Sequence, residues 1–138
     1  MKLEKNWRNK TLENLEKRNV DKPNCDGYLV RRCIELYKIP LEEFTTEDLR
    51  IMIGQQIGLV YLIPLAIDIL KQDLFAEGDY FEGDLLKNVL LIDTIFWDNN
   101  EEYWQTLNEL IKDRRHEIIE AKFEIINFDN SKSKSGSS

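Results

Sequence analysis

The run IGLVYLIPLAI, residues 57–67, constrains the fold more than any other stretch. It carries no charge, and as a helix it is apolar almost all round, so the rest of the chain has to cover it on several sides. It is too short to cross a bilayer, which takes about 20 apolar residues, and Asp68 follows it directly. A chain of 138 residues is long enough for the task, since a domain of that size buries roughly two-thirds of its unfolded surface without disulfides or metals. Pro64 lies inside the run and has no N–H to give to the preceding turn, which predicts a kinked or two-piece helix over residues 59–74.

The flanking sequence reads as further helices and supplies no alternating stretch that demands a strand. Leu12 and Leu15 lie on one side of a short charged segment starting at Thr11. Lys22-Pro23-Asn24 is a break. Leu29, Val30, Cys33, Ile34 and Tyr37 recur at spacings of three and four behind a possible Asp26 cap, and Pro40 ends that helix. Thr45 or Thr46 starts another, with Asp48 placed for a variant of the capping box and Leu49, Met52 and Ile53 on its apolar face. Asp84 suits an N-cap for residues 85–92. After a turn at residues 97–100, Trp104, Leu107, Ile111, Ile118 and Ile125 mark the buried stripe of a long helix over residues 101–126. Residues 127–138, NFDNSKSKSGSS, have the composition of a disordered tail, with residues 125–128 the one weak strand candidate. The expected fold is therefore all-α, a single compact bundle over residues 1–126 with a buried central helix and a long C-terminal one.

Charge narrows the function. The net charge is −7 with no dense basic stripe, which argues against direct nucleic-acid contact and favours a basic protein partner. The most unusual stretch is FAEGDYFEGD, residues 75–84. Glu-Gly-Asp occurs twice, with Tyr80 and Phe81 between, and residues 72–86 hold five carboxylates and no Lys or Arg. Turn glycines and a helix cap account for part of this pattern. They leave Asp73, Glu77, Asp79 and the two aromatics unexplained. Aromatics beside carboxylates suit a surface that steers a partner and then anchors it.

Catalysis has little to work with. Asp113, the single histidine His116 and Glu120 share one face of the expected long helix. Arg114 and Arg115 sit among them and would repel a cation, so a solvated, ion-paired face is the reading. Cys25 and Cys33 are too few for a disulfide framework and read as free thiols. No P-loop, Gly-rich dinucleotide motif or calcium loop is present, and no cofactor is implied. The opening MKLEKNWRNK has no apolar run, so a cytosolic location is expected.

The block LRIMIGQQIGLVYLIPLAIDIL, then LFAEGDYFEGDLLKNVLLID and FW, resembles the immunity proteins of bacterial contact-dependent growth inhibition (CDI) systems, as does the preceding YLVRRCIELYKIPLEEFTTED. The similarity covers about residues 28–97. It implies a non-enzymatic protein that binds the C-terminal toxin domain of its own exoprotein and blocks it, many such toxins being nucleases. It also implies that Gly54, Gly58, Pro64 and the Glu-Gly-Asp triplets serve the scaffold. The alternatives are an acidic helical adaptor for another basic protein, and an enzyme using Glu77, Asp79, Glu82 and Asp84, for which helper groups are missing. The expected partner face joins Glu77, Asp79, Tyr80, Phe81 and Glu82 to Trp97, Asp98, Glu101 and Glu102. The two groups sit at opposite ends of a helix about 12–14 Å long.

Overall fold

The structure, a computed structural model, describes residues 3, 5–17 and 27–131. Lys22, Pro23, Asn24, Cys25, Asp26 and the tail beyond residue 131 lie outside them. The described residues form nine α-helices and two short 3-10 turns, with no strand, so the all-α expectation holds.

Short helix α1 (Leu12–Glu16) starts at Thr11, whose hydroxyl accepts the Asn14 N–H, and it buries Leu12 and Leu15. The Tyr37 hydroxyl donates to Glu16 and ties α1 to α2 (Tyr28–Tyr37). Gly27 precedes α2 without a side-chain cap. The capping box on α3 (Thr46–Gly54) is complete, with the Asp48 N–H given to Thr45 and the Thr45 N–H given back to Asp48. The Asp48 carboxylate also takes a guanidinium N–H of Arg32 at 2.9 Å, which fastens α2 across the start of α3.

Helix α4 (Leu59–Gln72) runs unbroken past Pro64, so the two-piece alternative is not adopted. A proline at 64 leaves the carbonyl of Val60 without its usual intrahelical donor. The Tyr103 hydroxyl fills that place from α7 (Glu101–Ile111) at 2.9 Å. Helix α4 packs on α3, on α5 (Asp84–Leu90) and on α7. Leu62, Ile63, Ala66, Ile67 and Leu70 are buried, whereas Leu59, Tyr61, Leu65 and Ile69 are half-buried.

The C-terminal third differs from its sequence reading. The long helix is three helices: α7, α8 (Arg115–Glu120) and α9 (Ile126–Asp129). A turn at residues 112–114 closes α7, and Arg114 holds Glu117 with two hydrogen bonds as α8 begins. Lys122, at φ 62°, ends α8 in the left-handed conformation, with the Phe123 N–H reaching back to the Ile118 carbonyl. The reversal brings Phe128 onto Trp97 and Trp104, at 5.2 and 4.9 Å between ring centroids. Trp104 Nε1 donates to the Phe128 carbonyl at 2.8 Å. Phe128 is fully buried, so residues 127–131 are part of the fold where the sequence placed the start of a tail. Ile118 on α8 and Phe128 on α9 face the core, whereas Ile119 and Ile126 are exposed.

Trp97, expected in a turn and on the partner face, is also fully buried. It belongs to α6 (Thr94–Asp98) and packs edge-on against Phe96 and Phe128.

Candidate functional site

The acidic loop of residues 73–83 joins α4 to α5 and is closed at its base by the Gly83 N–H to Phe75 carbonyl bond of 3.0 Å. Its organiser is Asp84, which is 2% exposed. Asp84 was expected to cap α5. Gly83 takes the cap position in the left-handed conformation, and Asp84 becomes the first residue of the helix with its carboxylate turned into the loop. Oδ1 accepts the Gly78 N–H at 2.6 Å, and Oδ2 accepts those of Tyr80 and Phe81 at 3.1 and 3.4 Å. One buried carboxylate thus satisfies three backbone donors that a tight loop would otherwise leave unpaired.

The second support comes from α3. Arg50 holds Glu47 with two hydrogen bonds, at 2.6 and 2.5 Å, and its Nε lies 3.8 Å from Asp84. Glu47 in turn accepts the Asp79 N–H at 2.9 Å. The Arg50 hydrogen bonds hold the Glu47 carboxyl below the usual carboxylate range, burial opposes this, and the Asp79 N–H adds to it. The guanidinium also lies under the Tyr80 ring, 4.4 Å from its centroid. Two glycines permit this packing. A Cβ on Gly78 would stand 2.6 Å from Glu47 Oε1, and one on Gly83, at φ +86°, would stand 2.8 Å from the Phe75 ring. The far side of the loop rests on aromatics, with Phe123 6.2 Å from both Phe75 and Phe81.

The loop's charge is therefore partly neutralised from neighbouring helices, a feature invisible in the run of residues 72–86 itself. Glu47 and Arg50 are legible as a helical i, i+3 pair, but nothing in their spacing says that they meet a loop some thirty residues later. What the loop presents outward is Glu77, Asp79, Tyr80, Phe81 and Glu82, all exposed, with Tyr80 at 71%. Phe81 has Lys87 Nζ 5.4 Å from its ring centroid.

The second half of the expected face has other neighbours. Trp97 is core. Asp98 accepts the Ser131 hydroxyl at 3.0 Å. Glu101 and Glu102 are exposed in the first turn of α7, where Glu101 accepts from Gln105. Sequence reasoning missed two further surfaces. Tyr28 and Leu29 are exposed at the start of α2, beside a groove of about 310 Å³ that Tyr80 and Asp79 border from the other side. Leu91, Ile95 and Ile126 are exposed on segments that Asn127 holds together, through its donation to the Leu91 carbonyl and its acceptance from Thr94.

The face of Asp113, His116 and Glu120 is divided by the turn before α8, and its arginines are engaged, Arg114 with Glu117 and Arg115 with Asp129. No group of three or more His, Cys, Asp or Glu among the described residues could hold a metal ion. Cys33 is a free, buried thiol whose pKa is raised by desolvation, which makes it a poor nucleophile. No helix among the described residues is long and apolar enough to cross a membrane.

Comparison with known proteins gives one positive result. A model of the family of CDI immunity proteins matches residues 14–107, which takes in α2 to α6, the acidic loop and its supports on α3. Neither the curated proteins nor the solved structures contain a match. The family match spans about two-thirds of the chain and agrees with the resemblance carried by residues 28–97. By that match, the chain belongs to the family of CDI immunity proteins.

Proposed function

We propose that the protein binds the C-terminal toxin domain of its own CDI exoprotein in the cytosol and neutralises it by occlusion, without catalysis of its own. The observation that carries this reading is the construction of the acidic loop. Its backbone is held by Asp84 and Glu47, while Glu77, Asp79, Tyr80, Phe81 and Glu82 stay exposed. A surface fixed before binding loses little conformational entropy when the partner arrives. Carboxylates raise the encounter rate with a basic surface, such as the substrate groove of a nuclease, and an aromatic anchor slows release. Glu101 and Glu102 can extend the acidic field; Trp97 contributes only through the core.

The test is direct. The purified toxin domain encoded beside this chain is mixed with it, and both binding and toxin activity are followed. A stable complex that abolishes the toxin's activity is the expected result. Full toxin activity in the presence of excess protein would remove this reading.

A further inference from the structure

The groove beside Tyr80 continues along α3. A second hollow, of about 360 Å³, shares Tyr28, Glu47, Ile51 and Asp79 with the first, so the two form one trough. Ile51 is on its floor, since it is buried, and two exposed tyrosines stand at its sides, Tyr28 at 69% and Tyr80 at 71%. One tyrosine starts α2 and the other belongs to the acidic loop, so the trough is bordered by elements that are far apart in sequence.

Its charges are unbalanced. Glu35, Glu47, Asp48 and Asp79 line it against Arg32 and Arg50, four carboxylates to two guanidiniums. Both guanidiniums are already engaged. Arg32 bonds Glu35 and Asp48 at 3.0 and 2.9 Å, and Arg50 holds Glu47. The Asp79 carboxylate has no hydrogen bond or ion pair among the described residues; only its N–H is used, by Glu47. The trough therefore holds surplus negative charge at Asp79, between exposed aromatic rings. Tyr80 already carries one cation at 4.4 Å, that of Arg50. Carboxylate plus open aromatic ring is the environment that takes up a cationic side chain, by charge and by the ring quadrupole together.

We propose that this trough receives a lysine or arginine side chain of the toxin domain, seated between Tyr28 and Tyr80 and paired with Asp79. The proposal rests on the toxin-binding reading and adds the start of α2 to the recognition surface, on the α3 side of the loop. Tyr28 contributes its ring and Asp79 its charge, so a change that keeps the ring at 28 should be tolerated, whereas one that removes the charge at 79 should not.

The experiment measures association and dissociation of the inactivated toxin domain with the parent protein and with Tyr28→Ala, Tyr28→Phe and Asp79→Asn. Circular dichroism and thermal melting confirm that each variant is folded, as is expected for exposed positions. Tyr28→Ala and Asp79→Asn should each weaken binding by about tenfold or more, mostly through faster dissociation, as for anchors at the centre of an interface. Tyr28→Phe, which keeps the ring, should bind within about threefold of the parent. Asp79→Lys should weaken binding further, and a Lys→Glu or Arg→Glu change on the toxin should restore it. If the parent binds tightly and both Tyr28→Ala and Asp79→Asn bind equally well, the trough is not the recognition site, while the toxin-binding reading stands. If the parent protein itself fails to bind, both are overturned.

Discussion

Asp84 shows how a single buried carboxylate can set the course of a loop. Replacing it with Asn keeps the shape but puts an NH2 where an acceptor was, and it removes a charge 3.8 Å from Arg50. Asp84→Asn should cost about 1–3 kcal/mol in urea unfolding, and amide exchange at Gly78, Tyr80 and Phe81 should accelerate, since an NH2 replaces one of the two oxygens that accept from them. Unchanged exchange there would mean that the loop is held elsewhere. Glu47 gives a pH signature. Its folded-state pKa is lowered, chiefly by Arg50, so its contribution is fully present above the usual glutamate range and is lost as pH falls through that range toward the folded value. The stability gap between the parent and Glu47→Gln should therefore be widest at neutral pH and shrink below about pH 4.3. A gap independent of pH would contradict the pairing. Neither residue was legible as a loop support. Asp84 read as a helix cap because Asp before an apolar run usually is one. The shift of one position, with left-handed Gly83 taking the cap, redirected its side chain.

Among the elements, α4 and α7 share a bond that the sequence hides in two places. Pro64 deprives the Val60 carbonyl of a donor, and Tyr103 supplies one. Burial is the main reason the Tyr103 phenol lies above its usual pKa, with Glu102 and Tyr61 adding to it, so the hydroxyl keeps the proton it donates. Tyr103→Phe should cost about 1 kcal/mol in the parent protein. In a Pro64→Ala background the restored N–H can serve Val60, and the same change should cost markedly less, a coupling of about 0.5–1 kcal/mol in a double-mutant cycle. Strict additivity would show that the two helices are not linked through this carbonyl. At the other end of the chain, Phe128→Ala should cost about 3–5 kcal/mol by denaturant unfolding, because the ring is buried between two tryptophans. A loss under about 1 kcal/mol would return α9 to the status of a tail.

For the whole molecule, the all-α class and the presence of helices α3 to α5 were legible, because helical spacing, the Thr45 cap and the apolar run at residues 57–67 all point the same way. The C-terminal third was not. A period of three and four describes one long helix and a series of short ones equally well, and only tertiary packing decides that Phe128 should return to Trp104. The candidate site was legible by half: the exposed loop residues could be named from the sequence, whereas Tyr28 and Arg50 join it only through the packing of α2 and α3. Charge is also distributed at this scale. With a net charge of −7, association with a basic toxin should slow as salt rises and the Debye length falls to about 10 Å at 0.1 M, while dissociation changes little. Stopped-flow mixing at several salt concentrations reads this directly. An association rate indifferent to salt would assign recognition to shape alone.

The loop separates what gives it form from what it displays. Gly78, Gly83 and Asp84 shape it from within. Positions 79 and 80 take part in its hydrogen bonding only through their main-chain N–H groups, given to Glu47 and Asp84. Any side chain comes with that N–H except proline, so proline is the letter these positions reject for the fold's sake. On the proposed toxin-binding reading, a lineage whose toxin drifts can respell the displayed word one residue at a time without losing the grammar that holds it, and a library randomised at 79 and 80 should return folded members with almost any residue there but proline.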